Sequence, residues 1–129
     1  MDLTISRKSF GADDQSWLGS AHGTNAAQTI TVDVSTLTRA DHYPDGWIVS
    51  GIPLMKTGTA SGQDLYGLYT DGEDHVLAGF LFTPIKVPAD TSGRAGGALL
   101  EHGRVKVDRL PVSVSETAQK TVAGRIIFA

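Results

Sequence analysis

Four groups of residues in this 129-residue chain have side chains that could do chemistry. Asp71, Glu73, Asp74 and His75 place three carboxylates and an imidazole within one short stretch. Hard cations take oxygen ligands of this kind, but the spacing lacks the length and regularity of a calcium loop. A charged turn exposed to solvent is the simpler reading. Asp41-His42 and Glu101-His102 are adjacent acid–base pairs. Neighbours in a strand point to opposite faces, so adjacency argues against cooperation within either pair. His22 stands in a polar, glycine-containing stretch, and a histidine alone carries little information. Ser20, Ser50 and Ser61 lie near glycines, but none sits in a nucleophile elbow. Gly93, Gly96 and Gly97 lack the Gly-Lys-Ser/Thr that a phosphate-binding loop needs. No catalytic set, metal cage or nucleotide loop emerges, and the expectation is a protein that is not an enzyme and needs no cofactor or metal.

Bulk properties narrow the classes further. There are no cysteines, which removes disulfides, thiolate catalysis and cysteine-based zinc sites. The net charge of -3 disfavours a general nucleic-acid binder, because neutralising phosphates needs a basic surface. The longest apolar run is interrupted by Gly79 and Pro84, too short to cross a bilayer, so no membrane partner is expected. In MDLTISRKSFGADD the basic residues are not followed by an apolar segment, unlike a secretory signal. The expectation is a soluble protein made in the cytoplasm.

The elements that would position any site are short strands. Fifteen glycines and five prolines favour turns over long helices. Residues 44–87 hold most of the strongly apolar runs, at Trp47–Val49, Pro53–Met55, Tyr66–Tyr69 and Val76–Phe82. Tyr43-Pro44-Asp45-Gly46 reads as a turn, with proline presetting φ and glycine accepting positive φ. Asp71-Gly72 reads as the tip of a hairpin joining the strands on either side. Residues 90–97 read as a surface loop, followed by strands at Ala98–Leu100 and Gly103–Leu110. Ser115 to Ala123 reads as a short helix with Ser115 as N-cap and Gly124 closing it, and Arg125–Phe128 as a last strand.

The N-terminal part differs. Phe10, Trp17 and Leu18 are isolated apolar residues in a polar stretch with no sustained period. Thr29–Val34, TITVDV, is a clean alternating strand with Ile30, Val32 and Val34 on one face. Trp17-Leu18 could anchor on a partner or fold back on its own domain. The TITVDV strand could complete the domain's own sheet or add to another protein's. The division predicted is an extended N-terminal arm over 1–40, including strand 29–34, and a β-rich domain over 41–129. The fold class expected is mainly β, with one short C-terminal helix.

From Gly51 onward the order of parts resembles the head decoration proteins of tailed phages, the lambda type. The residues that carry the resemblance are Pro53-Leu54, Asp71-Gly72, Ala78-Gly79-Phe80-Leu81, Gly103-Arg104-Val105, Leu110-Pro111, Ser115 to Val122, Ala123-Gly124 and Ile126-Ile127. They span roughly the last 80 residues. The long N-terminal part, with TITVDV and DHYPDGW, has no counterpart in the lambda protein. The resemblance implies a small barrel-like, β-tulip domain that forms a homotrimer. It implies a place on the outer surface of the expanded capsid, where such proteins clamp the major capsid protein against the pressure of packaged DNA. It implies that the arm adds to a capsid-protein sheet, with Trp17, Leu18, Ile30, Val32 and Val34 as contact residues and no direct nucleic-acid contact. A small β-barrel binding module of a phage tail or receptor-binding apparatus is the alternative. That reading predicts an exposed aromatic cluster of Tyr43, Trp47, Tyr66 and Tyr69. An enzyme would need two of His42, Asp45, His75 and His102 in one pocket.

Overall fold

Alternation at Ile30 and Val32 buries one face of strand β1 (Gln28–Asp33) and leaves Thr29 outside, and Val34, in the 3-10 turn that follows, continues the buried face. Val32 is fully buried, a change worth roughly 1.5–3 kcal/mol for a branched aliphatic side chain. The computed structural model describes residues 15–20, 27–60, 62–87, 93–122 and 126–129. In it β1 is one stave of a closed barrel in the order β1-β4-β3-β5-β7. The other staves are β3 (Pro53–Ala60), β4 (Gln63–Leu68), β5 (Gly79–Leu81) and β7 (Arg94–Leu100). β1 runs antiparallel to β7 from Gln28↔Leu99 to Asp33↔Arg94 and parallel to β4 at Thr31↔Leu65 and Val32↔Tyr66. Two small sheets complete the structure. β2 (Trp47–Ile48) pairs with β6 (Ile85–Lys86), and β8 (Gly103–Val105) pairs in parallel with β9 (Ile126–Phe128). The fold is mainly β, as expected. Its helices are α1 (Arg39–His42) and α2 (Glu116–Thr121), with 3-10 turns at Val34–Thr36 and Val107–Arg109.

The core has two compartments separated by the barrel wall. Ile30, Val32, Val34, Ile48, Ile52, Leu54, Leu81 and Leu99 fill the barrel. Trp17, Leu77, Phe80, Leu100, Val105, Ala118, Val122 and Ile126 fill a second cluster outside it. Neighbouring residues of one strand serve opposite compartments: Phe80 and Leu81 on β5, Leu99 and Leu100 on β7. Side chains alternate across a strand, so a strand covered on both faces must be apolar at consecutive positions. β5 is buried throughout. The two walls approach so closely that a Cβ on Gly79 would run into the Leu100 carbonyl oxygen.

Several boundaries differ from the sequence reading. β4 and β5 both pair with β3 and not with each other, so Asp71-Gly72 is not a hairpin tip. The segment carrying it crosses over β3, and the hairpin lies between Ala60 and Gln63 instead. The Tyr43–Gly46 turn forms as read, with Gly46 at φ 83°. Residues 94–97 are strand rather than loop, because β7 must run the length of β1. The strand read over Gly103–Leu110 stops at Val105 and turns into a 3-10 segment. Helix α2 forms with Ser115 as N-cap, its Oγ accepting from the Ala118 amide at 3.1 Å. Gly124 lies outside the described residues. The division at residue 40 is also corrected, since β1 and the turn that follows it belong to the barrel. The rest of the predicted arm, 1–14 and 21–26, lies outside the described residues.

Candidate functional site

Five residues were expected to face a partner, and the structure places four of them in the protein's own core. Trp17 is 1% exposed. Its ring packs on Phe80 at a centroid distance of 5.8 Å, tilted by 38°. The indole N–H donates to Ser50 Oγ at 3.0 Å, and Ser50 Oγ donates to the Phe82 carbonyl at 2.8 Å. The backbone around it docks on β8: Lys106 N–H donates to the Trp17 carbonyl at 2.7 Å and Gly19 N–H to the Arg104 carbonyl at 2.8 Å. Leu18, half-buried, forms a β-bridge with Val105. Gly51, at φ 95°, lies against the indole, where a Cβ would come within 2.9 Å of Trp17 Cδ1. A large apolar ring with one polar atom is stable inside when that atom finds a partner, and here Ser50 supplies it. Ile30, Val32 and Val34 point into the barrel. They are inside because β7 and β4 occupy both edges of β1, so the strand completes its own sheet. These residues are therefore core residues and not a contact surface.

The acid–base candidates separate as well. The His75 ring folds back, with Nδ1 2.7 Å from the Thr70 carbonyl. A carbonyl accepts only, so Nδ1 carries the proton. Asp71 Oδ1 accepts from Ser115 Oγ at 2.9 Å, tying the crossing segment to the start of α2. Asp74 takes a positive φ of 67°. No group of three or more His, Asp or Glu side chains able to hold a metal ion occurs among the described residues. His42 is buried, and its Nδ1 accepts from the Thr38 amide at 2.8 Å, which closes the turn of α1. His102 is exposed, and His22 and Ser61 lie outside the described residues. Ser50 is engaged by the indole and a carbonyl, a structural role.

Tyr69 is 8% exposed in the second cluster, and its hydroxyl finds no hydrogen-bond partner among the described residues. Burial pushes its phenol above the usual tyrosine range, and the neighbouring Asp71 carboxylate adds to the effect. Tyr43 and Tyr66 pack partly against the barrel core, and Trp47 is half-buried. The exposed aromatic cluster expected of a tail module is therefore incomplete.

Two open clefts flank the protruding β3–β4 hairpin. One, of about 420 Å³, is lined by Met55, Lys56, Thr57, Asp74, His75 and Val76. The other, of about 280 Å³, lies between β1 and β4 and is lined by Gln28–Thr31, Gln63, Asp64 and Tyr66. Between them Lys56 Nζ meets Asp64 Oδ2 at 3.0 Å. That hydrogen bond and the attraction of the carboxylate raise the Lys56 pKa. Sequence reasoning passed over the second cleft because outward threonines and a Gln-Asp pair look like ordinary solvated strand faces. The signal was there only in the register, which brings the start of β4 beside the start of β1. No protein-family model, curated protein or solved structure matches the chain.

Proposed function

We propose that this chain is a non-enzymatic capsid decoration protein. It binds the outer surface of an expanded tailed-phage head as a homotrimer and stabilises the shell against the pressure of packaged DNA. The observation that carries the reading is the order of folded parts that matches the resemblance. An apolar strand at Gly79–Leu81 precedes the β8 strand at Gly103–Val105. A Ser115-capped short helix then leads to a terminal strand at Ile126–Phe128 that returns to pair with β8. A clamp of this kind needs a rigid body with shaped surfaces rather than a reactive pocket. The major capsid protein is the partner in this reading, and DNA stays on the other side of the shell.

Attachment cannot use Trp17, Ile30, Val32 or Val34, because the core already holds them. In this reading it passes to residues 1–14 and to the outer surface of the domain. The test is co-sedimentation of the purified protein with expanded, undecorated heads of the phage that carries it, beside analytical ultracentrifugation of the free protein. Saturable binding in multiples of three per site, with raised resistance of the heads to heat, supports the proposal. Absence of binding to expanded heads overturns it. A variant lacking residues 1–14 should keep its melting temperature and lose attachment, whereas full attachment by that variant removes the arm from the reading. The tail-module alternative has Trp47, Tyr43 and Tyr66 in its favour as half-buried rings, but loses Tyr69 to the core.

A further inference from the structure

β1 pairs with β7 along its full length from Gln28 to Asp33, but with β4 only at Thr31 and Val32. The two parallel strands therefore part toward their N-terminal ends. The gap between them is the cleft of about 280 Å³. Its lining is more polar than apolar: Gln28, Thr29, Thr31, Gln63 and Asp64 stand beside Ile30. Tyr66, which also packs against the barrel core, completes the lining.

Several polar side chains elsewhere serve the fold. Thr36 Oγ1 accepts from the Leu68 amide, Thr121 Oγ1 from the Leu77 amide, and Ser50 serves Trp17. In the cleft the side chains of Gln28, Thr29, Thr31, Gln63 and Tyr66 have no hydrogen-bond partner among the described residues. Asp64 turns one oxygen to Lys56, and a carboxylate accepts several hydrogen bonds at once. Amides and hydroxyls both donate and accept, so the lining suits a ligand whose groups do the same.

Chemistry then selects among ligand classes. Asp64 is paired with the Lys56 ammonium, so the cleft presents no net charge that would draw an ion of either sign. A metal ion would find a single carboxylate, already facing an ammonium. An apolar ligand would leave five polar groups without water or partner, each at a cost. A sugar ring presents vicinal hydroxyls that donate to a carboxylate and exchange hydrogen bonds with amides, and its C–H faces pack on a tyrosine ring. The volume sits just under the ~300–1,000 Å³ typical of sites for drug-sized molecules, which fits one ring rather than several. We propose that the cleft between β1 and β4 binds a single neutral sugar residue, with Asp64 holding its hydroxyls and Tyr66, two residues along the same face of β4, packing on its ring. This proposal stands independently of the capsid reading.

The test is a titration of the ¹⁵N-labelled full chain with methyl α-glucopyranoside, methyl β-galactopyranoside and N-acetylglucosamine, followed by amide shifts. At least one sugar should give saturable shifts confined to Gln28–Thr31 and Gln63–Tyr66, with a dissociation constant on the order of 1 mM. Asp64→Ala should weaken that binding about tenfold, the loss of a hydrogen bond to a charged group. Gln63→Ala, at an exposed position, should weaken it less while leaving the spectrum of the free protein folded. No saturable shift with all three sugars overturns the proposal. So do shifts centred elsewhere, or shifts at the cleft that both variants leave unchanged.

Discussion

The barrel has a covered wall and a bare one. Strands β3, β5 and β7 carry apolar side chains on both faces, because Trp17, β8, β9 and α2 pack on their outer side. The β1–β4 wall is apolar only inward, and its outer face and parting end carry threonine, glutamine and aspartate. The same backbone architecture thus holds two kinds of surface. The covered wall is where stability is concentrated, since each residue pair there fills two compartments. The bare wall has outward side chains, such as Thr29 and Gln63, that no core contact holds, which is where binding can reside without loss of fold.

Substitutions should break this contrast in graded steps. Trp17→Ala removes the ring that covers Phe80 and should cost about 3–5 kcal/mol in denaturant unfolding. A loss near zero would mean that the segment around Trp17 is not part of the folded body. Gly79→Ala forces a methyl into the Leu100 carbonyl, and should cost about 1–3 kcal/mol in the same measurement. Tyr69→Phe deletes a buried hydroxyl that lies beside Asp71 without a well-formed hydrogen bond to any described residue, and should raise stability by up to about 1 kcal/mol at neutral pH. It should also alter the alkaline limb. The folded protein holds the Tyr69 phenol above its ordinary value of 10.0, so the unfolded chain releases that proton first. Stability from this group is present below pH 10.0 and lost as pH climbs through the raised value. The Phe variant should show a flatter decline there by circular dichroism. On the bare wall, Gln63→Ala should change unfolding free energy by no more than about 0.5 kcal/mol. A larger loss would make that wall structural and sharpen the boundary between the two.

Much of this contrast was legible in the residues, and the exceptions have physical causes. TITVDV read as a strand because only one of its faces is buried, which keeps the alternation intact. Ser115 read as an N-cap because capping is a local interaction. Asp71-Gly72 misled because it has hairpin chemistry, yet the chain there crosses a strand rather than reversing beside one. The real turn, between Ala60 and Gln63, lacks an Asn-Gly or Asp-Gly pair. Arg94–Gly97 reads as loop from its glycines and becomes strand because β1 offers a full-length edge. Trp17-Leu18 left an anchor on a partner and a fold-back equally open because the stretch around the pair is polar. Trp17's actual partners, Ser50 and Phe80, are remote in sequence, and no local pattern announces them. The cleft depended on the register of two parallel strands, which no single segment contains.

The pairing of Gln28 with Leu99 has a kinetic consequence. Nothing before β7 can satisfy the outer edge of β1, so barrel closure waits for most of the chain to be made. Closures between residues so distant in sequence place a small β protein among the slower folders, in the millisecond-to-second range. During that interval QTITVD is an extended, β-branched segment with one charge and an open edge, the composition that seeds intermolecular stacking. Expression yield at elevated temperature, and its rescue by slower synthesis, should therefore track this strand more closely than any residue of the second core.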